Sequence, residues 1–257
     1  MPRVMSCNIR FSNPQDGAHD WVHRKDFVAE LIHSERAGII GTQEGREPQL
    51  RELEELLPKH TLIDQHRSWI PERMYPCLFI DLSLYEVLGS GDIWLSETPE
   101  VAGSSSFESA FPRLCTYAKL KDLKTEQEFF VVDCHLDHVK EETRVEQIKV
   151  LLAEIHKVSG RSPLILMGDF NTSPTGPVRE IVNQTKLVDP WLTFGHEEET
   201  SFHKFDGKDP DGSKTRIDWI LHTPDFKAES IKLIKENKEG LYPSDHFFVC
   251  AILEPSF

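Results

Sequence analysis

The chain repeats one order of elements at two distant places, and that repeat limits what it can fold into. Val4 to Ile9 reads as an apolar strand whose polar end is Asn8. From Trp21 to Glu35, Phe27, Val28, Leu31 and Ile32 form one stripe at helical spacing. Gly38 to Thr42 is then a short buried strand running into Gln43 and Glu44. Far downstream, Phe129 to Cys134 is a strand ending at His135. Val145, Ile148, Leu151, Leu152 and Ile155 make a helix stripe, and Leu164 to Met167 leads into Asp169 and Asn171. Two such units facing each other would bring Asn8, Glu44, His135, Asp169 and Asn171 to one rim. The expected fold is α/β, a four-layer α/β sandwich of two packed, mostly antiparallel β-sheets flanked by helices. Generic strand–helix repetition is the competing explanation, because polar residues commonly follow strands.

Between the units lie mainly β signals. Cys77 to Ile80, Tyr85 to Leu88, Ile93 to Leu95 and Leu114 to Leu120 are short strands separated by Asp, Gly, Ser and Pro. Gly103 to Ser106 reads as a mobile surface loop, and Thr175 to Gln184 as a helix with Pro177 in its first turn. Gly195 to Thr215 is polar and reads as a long loop. Ile217 to Leu221, Ile231 to Ile234 and Phe247 to Leu253 are further strands. With no linker-like or low-complexity tract, residues 1–257 are expected to form a single domain.

The net charge of −14 argues against a binder that relies on a broad basic footprint for duplex nucleic acid. It leaves room for a nuclease, since a divalent metal carries positive charge into an acidic cleft. The five cysteines, Cys7, Cys77, Cys115, Cys134 and Cys250, sit in apolar stretches and are expected to be free core thiols. Cys134-His135-x-x-His138 lacks the second ligand pair that a structural zinc site requires. No apolar run is long enough to span a bilayer, and the first residues carry no secretory leader. The expectation is a cytoplasmic protein without stable membrane association.

Six short motifs follow one another along the chain: Ser6-Cys7-Asn8-Ile9-Arg10, Gln43-Glu44, His135-Leu136-Asp137-His138, Gly168-Asp169-Phe170-Asn171, Arg216-Ile217-Asp218-Trp219 and Ser244-Asp245-His246. Any one alone is weak. Together, from about Met5 to Leu253, the series resembles the endonuclease/exonuclease/phosphatase superfamily. Asp92 to Pro99, followed by Phe111-Pro112-Arg113, is similar to a largely uncharacterised, mostly bacterial branch.

The resemblance implies a Mg²⁺-dependent phosphoric-ester hydrolase, with Mn²⁺ able to substitute. It implies Glu44 as principal metal ligand with Asn8 and Asp245 close by, and a hard oxygen donor suits that ion. The alternative for Glu44 is a charge at the start of the helix near Glu47. By the same resemblance Asp169 orients or deprotonates the attacking water, and Asn171 holds the scissile phosphate. An Asx turn closing the strand is the alternative for both. His246 is implied to contact the phosphate, with Asp218 orienting it and raising its pKa. His135 is implied to be a second phosphate contact, and it argues against the abasic-site endonucleases, which tend to carry tyrosine there.

Arg113 is a candidate phosphate clamp or a surface ion pair. His138 and Arg144 line the cleft or merely begin a helix, and Glu72 is a candidate partner for the second histidine. For His203 and Lys204, solvated loop is the better expectation than substrate contact. The leading expectation is a nuclease cleaving phosphodiesters by in-line attack of an activated water, so the expected partner is a phosphoester, first of all nucleic acid. A lipid or small-molecule phosphoesterase is the second reading and a non-catalytic binding module a distant third; no protein partner is implied.

Overall fold

In the computed structural model, which describes residues 1–256, the chain forms two sheets packed face to face. The first sheet takes β1 (Arg3–Asn8), β2 (Ile39–Gly45), β3 (His60–Leu62), β4 (Tyr75–Asp81), β10 (Phe226–Ile234) and β11 (Phe248–Pro255) in the order β10-β11-β1-β2-β4-β3. The second takes β5 (Tyr85–Trp94), β6 (Leu114–Asp122), β7 (Glu128–His135), β8 (Leu164–Asp169) and β9 (Asp218–His222), in chain order. Among the described residues only β1–β2 and β7–β8 pair in parallel, and these are the two repeated units. Their crossovers are α1 (Trp21–Glu35) and α3 (Glu141–Ser159).

Side-chain alternation builds the layers. On β1, Met5 and Cys7 face α1 and α2 (Glu47–Leu56), meeting Val28, Ile32, Leu50 and Leu53. Val4 points the other way and joins Ile39, Leu78, Val131, Ile165, Met167, Ile220 and Val249 between the sheets. On the far side Phe130, Val132 and Leu166 pack under Ile148, Leu151 and Ile155 of α3. The order helix, sheet, sheet, helix is the four-layer sandwich. β8 is buried along its whole length, which is why it reads as a continuous apolar run.

Local chemistry fixes the helix ends. The Asp20 carboxylate accepts from the Trp21 amide to open α1. Glu141 and Glu142 open α3, and His156 and Lys157 close it, in accord with the helix dipole. Gly168 is required: at φ +144° an added Cβ would stand 2.1 Å from the Cys134 carbonyl oxygen.

Several elements differ from expectation. Tyr85–Leu88 and Ile93–Leu95 are one strand, because a bulge between Val87 and Gly89 absorbs the Gly-Ser-Gly interruption. Two short elements, β3 and α5 (Pro190–Thr193), carry too little periodicity to be read from sequence. The expected 175–184 helix is only α4 (Pro177–Val182). Gly103–Ser106 is held by its own hydroxyls, Ser104 to Ser96 and Ser106 to the Glu97 amide. No helix among the described residues is long and apolar enough to cross a membrane. All five cysteines are free and buried.

Candidate active site

Both parallel units deliver their polar strand ends to one mouth of the sandwich. Asn8 ends β1 and donates through Nδ2 to Asp169 Oδ2 at 2.9 Å and to Glu44 Oε1 at 3.3 Å. Glu44 sits at φ +69° inside a register shift between Thr42 and Gly45, and this left-handed kink turns its carboxylate into the cleft. A glutamate in that conformation is strained, as side chains at functional positions often are. Asn171 is also left-handed, at φ +52°, which its short amide tolerates better. Its backbone N–H donates to Asp169 Oδ1 at 2.9 Å and its Nδ2 to the Leu136 carbonyl at 3.1 Å. The Asx turn and the site geometry are therefore the same structure.

His246 lies just before β11 and Asp218 opens β9, so their 2.9 Å contact, Nδ1 to Oδ2, crosses between sheets. Residues 201–203, polar and loop-like in sequence, tie the two segments together. The Phe247 amide donates to the Ser201 carbonyl and the His203 amide to the Asp245 carbonyl. The Ser201 hydroxyl accepts from the Ile217 and Asp218 amides. His203 is fully buried with its ring 4.0 Å from that of Phe247, a correction to the solvated reading. Lys204, next to it, is exposed.

Burial disfavours the charged form of every group here, and the neighbours decide the outcome. Burial would lower the His246 pKa, but Asp218, Asp245 and Asp169 outweigh it and push the imidazole up to about 10. Asp169 rises to about 7, mainly through burial and then the Asp218 charge, opposed by His246 and by donors from Asn171 and Asn8. His135, 3.5 Å from Asp169 Oδ2, goes the other way: burial and the charges of Arg113 and His246 hold it neutral. The site thus sets a carboxylate near neutrality beside a cationic and a neutral imidazole.

These groups open onto a cleft of about 530 Å³ whose lining includes Glu44, Arg113, His135, Asp169, Asn171 and His246. Arg113 is 7% exposed and donates to His138 Nδ1 at 3.3 Å, so it faces the cleft and is no surface ion pair. His138 stacks on Phe111. Glu72 does not reach His135; its side chain is 86% exposed and lies 3.5 Å from Arg46. Arg144 holds the Asp137 carbonyl and Glu141, fastening the start of α3. The sequence reading missed Arg10, Arg46 and Arg73, which also line the cleft. Arg10 lies two positions past Asn8 and Arg46 two past Glu44, a spacing that would have flagged them. It missed Arg24 as well: this buried guanidinium donates to the carbonyls of Ile9, Arg10, His19 and Pro243 and ties the Asn8 and Asp245 segments together.

Two groups of donors suggest themselves for a metal. Ligand atoms of Asp169, Asp218 and His246 lie within 4.8 Å of one another. The Asp218–His246 hydrogen bond already joins two of them, and an ion there would have to break it. Glu44 suits a hard cation better. Its oxygens have only long contacts, to Asn8 at 3.3 Å, the Phe11 amide at 3.3 Å and Arg10 at 3.9 Å. Asp245 lines the same floor and Asn8 lies beneath it. The Asn8 amide group sits between two carboxylates, supplying the partial positive charge that a cation would supply more strongly.

Comparison with known proteins places the fold in a family. The model of the endonuclease/exonuclease/phosphatase family matches residues 5–246. An endonuclease/exonuclease/phosphatase from Bacteroides vulgatus is 31% identical, with a TM-score of 0.91 over 99% of this chain and 98% of that one. A mannosyl-6-phosphatase from Bacteroides thetaiotaomicron is 27% identical, with a TM-score of 0.88 over 99% of this chain and 100% of that one. An uncharacterized protein of Acanthamoeba polyphaga mimivirus is 25% identical over 66% of this chain and 67% of its own. The matched span runs from the first strand to the histidine that closes the site, and the chain belongs to the endonuclease/exonuclease/phosphatase family.

Proposed function

We propose that this chain is a divalent-metal-dependent phosphoric-ester hydrolase whose substrate is a small phosphomonoester. The observation that carries the reading is where the positive charge lies. The chain as a whole has a net charge of −14, yet Arg46, Arg73 and Arg113, with Arg10 paired to Asp16, stand among Glu44, Glu72, Asp169 and Asp245 in the walls of the cleft. That arrangement suits a small dianion held at depth better than a long polyanion tracked across a surface. The likeness to a mannosyl-6-phosphatase along both full chains supports the same substrate class.

In this reading Asp169 takes a proton from the attacking water, and its pKa of about 7 suits a base working near neutrality. Asn8 and the Asn171 amide fix the carboxylate's direction. The second hydrogen of Asn171 Nδ2, not used on Leu136, holds a phosphoryl oxygen. His246 has Nδ1 engaged by Asp218, so it presents Nε2–H as a cationic donor to the charge that develops on the phosphoryl group. Neutral His135 and Arg113 bind the remaining oxygens. The water oxygen bonds to phosphorus as the bond to the alkoxide breaks on the opposite side. Mg²⁺, or Mn²⁺ in its place, held by Glu44 with Asn8 and Asp245, would supply charge neutralisation and leaving-group stabilisation.

Cleavage of nucleic acid is the second reading. Phe11, Phe111 and Phe202 line the cleft and offer faces on which bases would stack. One experiment separates the two. Phosphate release from hexose 6-phosphates is measured beside cleavage of end-labelled single- and double-stranded DNA and RNA, with Mg²⁺, Mn²⁺ or chelator and with Asp169→Asn as the blank. Metal-dependent phosphate release absent from the blank supports the phosphomonoesterase. A nucleic-acid ladder without phosphate release replaces it with the nuclease.

A further inference from the structure

Most buried arginines of this fold are matched by a buried partner. Arg67 pairs with Asp92 at 2.7 Å, Arg179 and Arg216 with Asp189 at 2.9 Å, and Arg24 with four carbonyls. The cleft breaks this pattern. Arg46, Arg73 and Arg113 each carry a buried Nε with no hydrogen-bond partner and line the same cavity, whereas the other orphaned arginine nitrogen among the described residues, Arg216 Nη1, belongs to a guanidinium already paired with Asp189 and Glu198. A buried donor left unpaired is costly unless a ligand completes it.

Arg113 is accounted for by the reacting phosphate, since it lies within electrostatic reach of Asp169 and Glu44. Arg46 and Arg73 are not. Arg46 rests 4.9 Å above the Phe11 ring, and its only carboxylate is Glu72, 86% exposed and at 3.5 Å. Arg73 has one long contact, 3.5 Å to the Pro112 carbonyl, and lies 6.0 Å from the Trp94 ring. It also repels Arg113 across the cleft. Arg113 and His246 already face the reacting phosphate beside Asp169, whereas Arg46 and Arg73 have no buried carboxylate of their own. Glu72 partly offsets Arg46 but is free to swing into solvent.

We propose that Arg46 and Arg73 form a second anion subsite, so that the preferred substrate is a small phosphomonoester bearing another phosphate or a carboxylate. This rests on the phosphomonoesterase reading and narrows it. Guanidinium forks match either group by paired hydrogen bonds, and the assay distinguishes them.

Three substrates are compared with Mg²⁺: glucose 6-phosphate, glucose 1,6-bisphosphate and 6-phosphogluconate. At least one anion-bearing substrate is expected to show a KM about tenfold or more below that of glucose 6-phosphate. In the Arg46→Gln/Arg73→Gln protein that advantage is expected to vanish through KM, with Arg73→Lys retaining part of it. Equal KM values for all three in the wild type overturn the subsite. Calorimetry of the same three ligands on Asp169→Asn protein reads it without turnover. Preferential binding there without phosphate release by the wild type keeps the subsite and removes the phosphomonoesterase. Equal binding removes the subsite alone.

Discussion

Replacing Asp218 by asparagine keeps the side chain's shape and removes its charge. Asp218 is 1% exposed, and its Oδ2 accepts the His246 Nδ1 proton at 2.9 Å. In the folded protein the His246 pKa stands near 10 against an ordinary 6.5, with Asp218 the largest of the opposing charges. A rise of that size corresponds to about 5 kcal/mol of preference for the charged imidazole. Losing that charge lowers the His246 pKa while Asp245 and Asp169 still raise it, so a smaller share of the imidazole is cationic at pH 8. If the cation stabilises charge developing on the phosphoryl group, turnover falls by roughly 10² to 10⁴. The sign of the pH effect follows. His246 is protonated below its pKa, so the ratio of variant to wild-type kcat should rise as pH falls from 8 towards 6. The Asp218 charge also raises the Asp169 pKa, so the ratio reads both groups, and a proton NMR titration of His246 in the two proteins separates them. The assay is phosphate release with saturating Mg²⁺, with circular dichroism to confirm folding. A folded variant whose ratio is flat with pH, or whose kcat lies within twofold of wild type, would refute the role given to this pair.

Other substitutions probe how the site is held. Arg24→Met removes three hydrogen bonds to carbonyls of the Asn8 and Asp245 segments and a fourth to His19, so both stability, by about 3 kcal/mol or more in urea titration, and kcat should fall although Arg24 is assigned no contact with substrate. Burial would raise the Asp92 pKa, but hydrogen bonds from Arg67 and His66 and their charges hold it down at about 2. That depression contributes stability above the unfolded value near 4 and loses it as pH falls towards 2, so Asp92→Asn should remove roughly 2 kcal/mol of acid-sensitive stability, seen as a shallower loss of urea midpoint between pH 4 and 2. Gly168→Ala places a methyl against the Cys134 carbonyl at 2.1 Å and should destabilise the fold strongly, and an unchanged melting temperature would contradict the close strand approach.

The repeated units were legible because strand and helix periods differ and because each unit ends on a polar residue. Asn8, Glu44, His135, Asp169 and Asn171 do converge, as facing units required. Local pattern could not show what long-range pairing adds. Residues 201–203 look like polar loop, yet they pair with 245–247 and bury His203 and Ser201 beneath the site. Arg24 sits on a helix among charged neighbours, and nothing in its spacing tells that its guanidinium turns inward. Glu72 has only the family resemblance to suggest it, and in the fold its exposed side chain turns to Arg46. Arg113 needed the three-dimensional cleft, since an arginine after proline has no period to read.

The hydrogen bonds from Asn8 to Asp169 and from His246 to Asp218 each join one sheet to the other. Neither sheet carries the chemistry by itself; each holds half of a lock whose halves are separated by the apolar layer of Ile39, Leu78, Ile165 and Met167. On the proposed function, turnover is therefore a gauge of how the two halves are seated. A slip of an ångström along that layer would silence the enzyme while every strand remained intact, so on warming the activity should fade before the circular dichroism does.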